Sequence, residues 1–260
     1  MIQEETMKNT AAKMIITVLS LVTIVAILAG LYIHVFGGGG LRFTMGTTSD
    51  SITFEQDVKD VYIEIDAAKV NVKEGDKLSV DYRLPGNEAP VVDVQDGRLT
   101  VKSMKTGAVM PFSFGDELRV DVTLPEGTKL DSFELRLDAG EVSVGSFDAD
   151  RFSIISDAGN IEIDDMDTGT FEIQTDAGNV GIEKLVADRA TIKLDAGNVS
   201  ISESTIDTIE AKLDAGNMEV EGSEIAHGSC ESDLGNIELD GNIGDVTAKT
   251  SLGHAAVNGR

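Results

Sequence analysis
The stretch DAGNIEIDDMDTGTFEIQT (157–175) runs directly into DAGNVGIEKLVADRATIKL (176–194) and DAGNVSISESTIDTIEAKL (195–213), consecutive copies of one 19-residue unit. Working outward, Asp-Ala-Gly begins at Asp138, Asp157, Asp176, Asp195 and Asp214. Asp233-Leu234-Gly235 keeps the period, and Ser251-Leu252-Gly253 closes it one residue short. After the glycines Gly140, Gly159, Gly178, Gly197, Gly216 and Gly235 come Glu141, Asn160, Asn179, Asn198, Asn217 and Asn236. An apolar residue, any residue and a second apolar residue follow, as in Ile161/Ile163, Val180/Ile182 and Val199/Ile201. Period-two alternation of this kind predicts a strand with one buried face. A fixed period of this length is the mark of a solenoid, in which each coil buries its apolar face only by stacking on its neighbours. The expected fold is therefore all-β, a single-stranded parallel β-solenoid with in-register coils spaced about 4.8 Å apart along the axis.

A second strand is expected in the rest of each unit. Its inward triplets read Phe152-Ile154-Ser156, Phe171-Ile173-Thr175, Ala190-Ile192-Leu194, Ile209-Ala211-Leu213 and Gly228-Cys230-Ser232. Volumes trade within a triplet, phenylalanine going with a small third residue and leucine with a smaller first one, as close packing demands. In the all-small fifth triplet the turn alanine is replaced by Leu234, read as filling the gap. Cys230, the lone cysteine, is read as a small buried apolar residue, and its solitude excludes an internal disulfide.

The turn columns are the candidate site residues. The glycine column predicts a positive-φ turn, and the asparagine column predicts a ladder of side-chain amides between coils. The aspartate column is the sharper question, because adjacent carboxylates at about 4.8 Å repel by roughly 0.9 kcal/mol even in water. Backbone N–H groups in Asx-turns are expected to offset this, with calcium between coils as the alternative. No cofactor and no resident metal is expected, and no catalytic residue. His227 and His254 lack a matching nucleophile pattern, and Ser156 and Ser232 are expected inside. A polysaccharide lyase-like β-helix is the enzyme-class alternative. It would want a groove of basic and aromatic residues that the sequence does not supply.

Upstream, residues 52–137 carry strand-like stretches at 61–65, 70–72, 78–82, 91–94, 99–101 and 118–124. They are expected to form earlier, irregular coils, or a separate small β-domain. The run 66–72 echoes the repeat without its glycine, and 104–115 is the expected long loop. Residues 14–36 carry no formal charge and are long enough for a spanning helix, with a cleaved secretory signal as the rival reading. Lys8 and Lys13 precede them, and Arg42 stands alone before an acidic stretch, which predicts a cytoplasmic N-terminus. The expected organisation is a leader (1–13), one transmembrane helix (14–36), a glycine-rich linker (37–51), irregular coils (52–137) and regular repeats (138–260). The cell membrane is thus an expected partner and location, with the C-terminal domain extracytoplasmic.

The formal charge is −25. Setting aside Lys8, Lys13, Glu4 and Glu5 from totals of 21 and 46 leaves 19 basic against 44 acidic residues beyond the apolar run. Such a surface repels phosphate polymers, so nucleic acid is excluded as a partner. The turn Leu124-Pro125-Glu126-Gly127, followed by repeated strand–Asp-x-Gly-Asn–strand units, resembles the bacterial putative-adhesin β-strand-repeat family, which includes LiaG-like proteins. The resemblance covers about residues 55–258. It implies a non-enzymatic envelope or surface protein, with some relatives associated with envelope-stress responses. The expected function is a membrane-anchored interaction scaffold with an envelope protein partner; the alternative is an adhesin or wall- or glycan-contact protein. Past Gly253 the pattern shows no capping helix, so the last strand edge is expected to lie open as a docking or self-association edge.

Overall fold
The computed structural model describes residues 47–85, 89–103 and 118–259. All of them fall in one compact unit, 45–105 with 113–260; the other, 1–44 with 106–112, lies outside the described residues. In chain order the strands are β1 (Thr47–Thr53), β2 (Asp60–Ala67), β3 (Lys69–Gly75), β4 (Ser79–Pro85), β5 (Val91–Gln95), β6 (Arg98–Lys102), β7 (Arg119–Pro125), β8 (Lys129–Leu130) and β9 (Ser132–Ala139). They continue as β10 (Val142–Val144), β11 (Phe147–Ala158), β12 (Ile161–Ala177), β13 (Val180–Ala196), β14 (Val199–Ser202), β15 (Thr205–Ala215), β16 (Met218–Leu234), β17 (Ile237–Leu252) and β18 (Ala255–Gly259). From β9 onward every pairing is parallel, and successive coils stack with residue i over i+19, as in Ile161↔Val180 and Phe171↔Ala190, until a register shift after Val220 sets Ser223 over Gly241, residue i over i+18. The shortened final coil brings Ile237 over Ala255.

Every described element is a strand, and no helix among the described residues is long and apolar enough to cross a membrane. Their apolar residues alternate along strands instead of running on for the ~20 positions that a span requires. The transmembrane helix expected over 14–36, like the long loop expected over 104–115, lies outside the described residues. The expected fold of solenoid plus spanning helix is accordingly corrected to an all-β parallel solenoid. With it go the single-pass localisation, the membrane as partner and the membrane-anchored scaffold. Strand β1 already begins at Thr47, inside the stretch expected as linker, and pairs antiparallel with β4.

Each regular coil has three sides where two were expected. A first side follows the asparagine (161–164), a middle side spans 166–168, and a long side spans 170–177. The missed middle side packs Phe147 and Ala149, Met166 and Thr168, Leu185 and Ala187, and Ile206 and Ile225 into the core. Its phase is hidden in the sequence because Asp165, Lys184 and Glu203 adopt left-handed φ of 54°, 54° and 50°, and Gly222 one of 60°. One such residue makes both flanking apolar positions point inward at a spacing of three, which breaks strict alternation. Ser204 and Ser223 disguise the pattern further. They are buried polar residues whose hydroxyls accept from Leu185 N (3.0 Å) and Ser204 N (3.1 Å) of the preceding coil.

The core continues unbroken into the upstream strands, but the coils there are not stacked in chain order. Strands β2 and β3 lie between β6 and β7 on one side and β9 and β10 on the other, all parallel. After β3 the chain leaves the stack, returns one level below, then passes over to β9. Antiparallel strands cover that lower level, β5 on β6 and β4 on β7, with β1 outermost on β4. The solenoid is thus covered at its N-terminal end.

Candidate functional site
The turn columns occupy the corner between long side and first side. Each glycine takes a φ near +140° to +150°, open to glycine alone at low cost. The coils also approach so closely there that a Cβ on Gly197 would lie on the carbonyl oxygen of Gly178, and likewise along the column. The asparagines form a directional ladder. Asn179 Oδ1 accepts from both Asn198 N (3.2 Å) and Asn198 Nδ2 (3.0 Å), and Asn198 Oδ1 does the same for Asn217 (3.1 and 3.1 Å). Asn160 serves Asn179, Asn217 serves the Asn236 N–H, and Asn236 serves the His254 N–H. Each amide oxygen thereby caps a backbone N–H that the corner would leave without a carbonyl partner. These residues hold the corner shut.

The aspartates Asp138, Asp157, Asp176, Asp195, Asp214 and Asp233 are all exposed. Among the described residues their contacts are Ser251 Oγ to Asp233 Oδ1 at 3.4 Å and Lys212 Nζ to Asp214 Oδ1 at 4.0 Å. The backbone hydrogen bonds expected of Asx-turns are not formed, since the N–H two residues on already donates to the next coil (Gly159 N to Ala177 O) and that three on to the preceding asparagine (Asn179 N to Asn160 Oδ1). No three His, Cys, Asp or Glu side chains among the described residues are grouped to hold a metal ion. Leu234 is 52% exposed, so it points away from the fifth triplet that it was expected to fill. Cys230 is fully buried in that triplet, and burial pushes its thiol up to about 12, which leaves it unreactive at neutral pH. Ser156 and Ser232 are buried, and His227 and His254 are exposed at separate places.

The long side is the most extensive surface, and sequence reading passed over it. It is a parallel sheet of β6, β2, β9, β11, β12, β13, β15, β16 and β17. Register stacks its outward residues into three columns. One runs Arg98, Asp60, Ser132, Arg151, Thr170, Arg189, Thr208, His227, Asp245. The next runs Thr100, Tyr62, Glu134, Ser153, Glu172, Thr191, Glu210, Ser229, Thr247, and the third Lys102, Glu64, Arg136, Ile155, Gln174, Lys193, Lys212, Glu231, Lys249. Eight strand spacings make this face ~38 Å long. These three columns carry eight Lys and Arg against seven Asp and Glu, so inside the corner aspartates that border them they are nearly neutral, in a chain of charge −25. Local pairs knit its N-terminal end. Lys102 Nζ meets Glu64 Oε2 at 2.7 Å, Arg136 Nη2 meets Glu134 Oε1 at 2.8 Å, and Arg98 lies 5.1 Å over the Tyr62 ring. The hydrogen bond to Glu64 raises both the Tyr62 and the Lys102 pKa. Lys184, held by Glu183 at 2.8 Å, sits instead at the corner between the first and middle sides.

The first side has the opposite character. Beyond β10 its outward residues include Glu162, Asp164, Glu183, Glu219, Glu221, Glu238 and Asp240, with no lysine or arginine among them. The small residues Ser143, Gly145, Gly181 and Ser200 leave an open depression there of about 560 Å³, into which the Glu162 carboxylate folds over Gly181. Serines and carboxylates line it without a histidine, and the cation beside it, Lys184, is held by Glu183 and Asp164 at 2.8 and 3.7 Å.

Three solved structures are similar to this chain. A "putative adhesin" from Parabacteroides distasonis is 15% identical with a TM-score of 0.56, over 81% of this chain and 97% of that one. A second, from Bacteroides fragilis, is 14% identical with a TM-score of 0.47, over 83% and 99%. A third, from Parabacteroides merdae, is 14% identical with a TM-score of 0.46, over 85% and 98%. No curated protein matches the chain significantly. At 15% identity the first of these speaks for the fold alone, an all-β solenoid. The model of the Toastrack DUF4097 family matches residues 58–255, and the chain belongs to that family.

Proposed function
We propose that this protein is a non-enzymatic contact protein, an adhesin or wall-contact solenoid whose long side lies against a glycan-rich surface. Membership of the Toastrack family supports a non-enzymatic role, and proteins of similar fold bear the name adhesin. The observation that carries the reading is the charge balance of the long side. A molecule of charge −25 is repelled by acidic surfaces over most of its area, and approaches best through the columns where its own charges balance. That face is also long, straight and lined with Ser, Thr, Gln, Lys, Arg and Glu at a spacing of about 4.8 Å. Individually weak contacts to a repeating polymer then sum along the axis. Exposed aromatic platforms are lacking among the outward residues of the regular coils, so the contact is one of hydrogen bonds and charge pairs.

The test is co-sedimentation of the full chain with purified wall polysaccharide. Retention is expected, and R189E/K193E/K212E should reduce it severalfold. Ser143→Glu, Ser200→Glu and Ser202→Glu together, which add charge to the first side, should leave it nearly unchanged. No retention of the parent protein, or equal loss in both variants, would reject the reading.

A further inference from the structure
The two ends of the solenoid are unlike. The N-terminal level is covered by antiparallel strands, whereas the C-terminal level is bare among the described residues. β18 pairs with only the first part of β17, through Ile237↔Ala255 to Gly241↔Gly259. The rest of β17, to Leu252, bonds back to β16 and, among the described residues, has no strand on its other edge. Exposed apolar side chains gather at the same end. Leu234 (52%), Leu252 (68%) and Val257 (43%) are three of the five large apolar residues exposed among the described ones. Val246 and Ala248, which continue the core columns, are only partly buried. Unpaired backbone and an unfinished core on one edge form a template for another strand.

The sequence of that edge selects its occupant. Antiparallel pairing of the edge with its own copy about Thr247 places Asp245 opposite Lys249 twice, and Val246 opposite Ala248 twice. Opposite charges across a strand pair favour that register, and the two half-exposed apolar residues are buried in the same step. Centring on Lys249 or Asp245 instead would set like charges face to face. The edge is therefore self-complementary in charge, as an isologous two-fold contact requires. We propose that the C-terminal edge of β17 is a homodimer interface, in which a second copy pairs antiparallel about Thr247.

A single strand edge buries less than a standard interface, so the dimer forms weakly and crosslinking is the fitting readout. Directly opposed residues of an antiparallel pair lie ~4.5–5.5 Å apart at Cα, within disulfide reach. The one native cysteine, Cys230, is buried and leaves the background low. In the full chain under mild oxidation, Thr247→Cys should give a strong disulfide dimer on a non-reducing gel. Thr170→Cys, exposed in the middle of the same column region, should give little. Adding Lys249→Asp to Thr247→Cys should weaken the band, and adding Asp245→Lys as well should restore it. Circular dichroism of each variant checks that the fold is kept. A Thr247→Cys band no stronger than that of Thr170→Cys, or one indifferent to the charge swap, overturns the proposal. The glycan reading stands or falls separately, since its variants lie elsewhere on the long side.

Discussion
At the scale of single residues, the glycine column and the lone cysteine make the firmest claims. A Cβ at Gly197 meets the Gly178 carbonyl, a backbone atom that cannot turn aside, and the residue has a φ of 147°. Gly127 also has positive φ, 72°, but opens onto free space. Gly197→Ala should therefore cost more than ~3 kcal/mol, or prevent folding, while Gly127→Ala costs only about 1 kcal/mol. Urea titration of the two variants compares them directly, and equal losses would mean that steric contact is not what selects the column. For Cys230 the pKa is raised on folding, to about 12. The unfolded thiol ionises near pH 8.5, so above that pH the unfolded state binds fewer protons and stability falls as pH rises. The loss approaches its full value near pH 12, where it could reach about 4 kcal/mol. Cys230→Ala should flatten the decline between pH 9 and 11 relative to the parent, measured by urea midpoint. Parallel pH profiles would show that the thiol stays protonated in both states or is hydrated in the fold.

At the scale of elements, the inward triplets show what the sequence could and could not say. Phe133, Phe152 and Phe171 share one layer, stacked at 5.0 and 5.2 Å with rings 8° from parallel; small residues sit at the other end of the Phe152 and Phe171 triplets, whereas the Phe133 triplet ends in the buried Leu137. Those small residues are Ser156 and Thr175, buried, with hydroxyls that have no hydrogen-bond partner among the described residues. Ser232 and Thr250 at the same position donate to Gly216 O and Gly235 O at 3.1 and 2.9 Å. Thr175→Val keeps the shape and removes an unsatisfied buried group, and should stabilise the protein by about 1 kcal/mol in urea. Thr250→Val removes a made bond and should not. Period, parallel register and the turn columns were legible because every copy repeats them. The middle side was not, because one left-handed residue such as Lys184 shifts the phase of alternation without changing the repeat length. Nor was the direction of Leu234, since a leucine in a turn position reads equally as core filler or as exposed. The stacking order of β6 and β7 beneath β2 and β3 also left no local trace, because nothing repeats there to reveal which strands are neighbours.

At the scale of the whole molecule, stacking forces like charge onto like. Six successive coils add their corner aspartates one above the last, from Asp138 to Asp233, and on the first side Asp164 stacks on Glu183 and Glu219 on Glu238. In-register stacking that completes the core cannot avoid this, and few ion pairs relieve it: among the described residues the aspartate column is met by Lys212 alone, at 4.0 Å from Asp214. Each adjacent pair on the corner costs roughly 0.9 kcal/mol at the dielectric of water before screening. The fold should therefore be stabilised by simple salt. The Debye length contracts from about 30 Å at 0.01 M to about 8 Å at 0.15 M, which weakens the longer-range repulsion throughout the stack while leaving the core untouched. A gain of 1–2 kcal/mol corresponds to a rise in Tm of about 2–8 °C for a domain of this size. Sodium chloride should produce it as well as calcium chloride does at equal ionic strength, because no carboxylate group among the described residues is arranged as a metal cage. Asp195→Asn, in the middle of the column, should capture part of the same gain at low salt and make the remaining salt dependence shallower. A Tm that does not move with sodium chloride would mean that the repulsion is already balanced, and one that rises with micromolar calcium alone would place a cation between the coils.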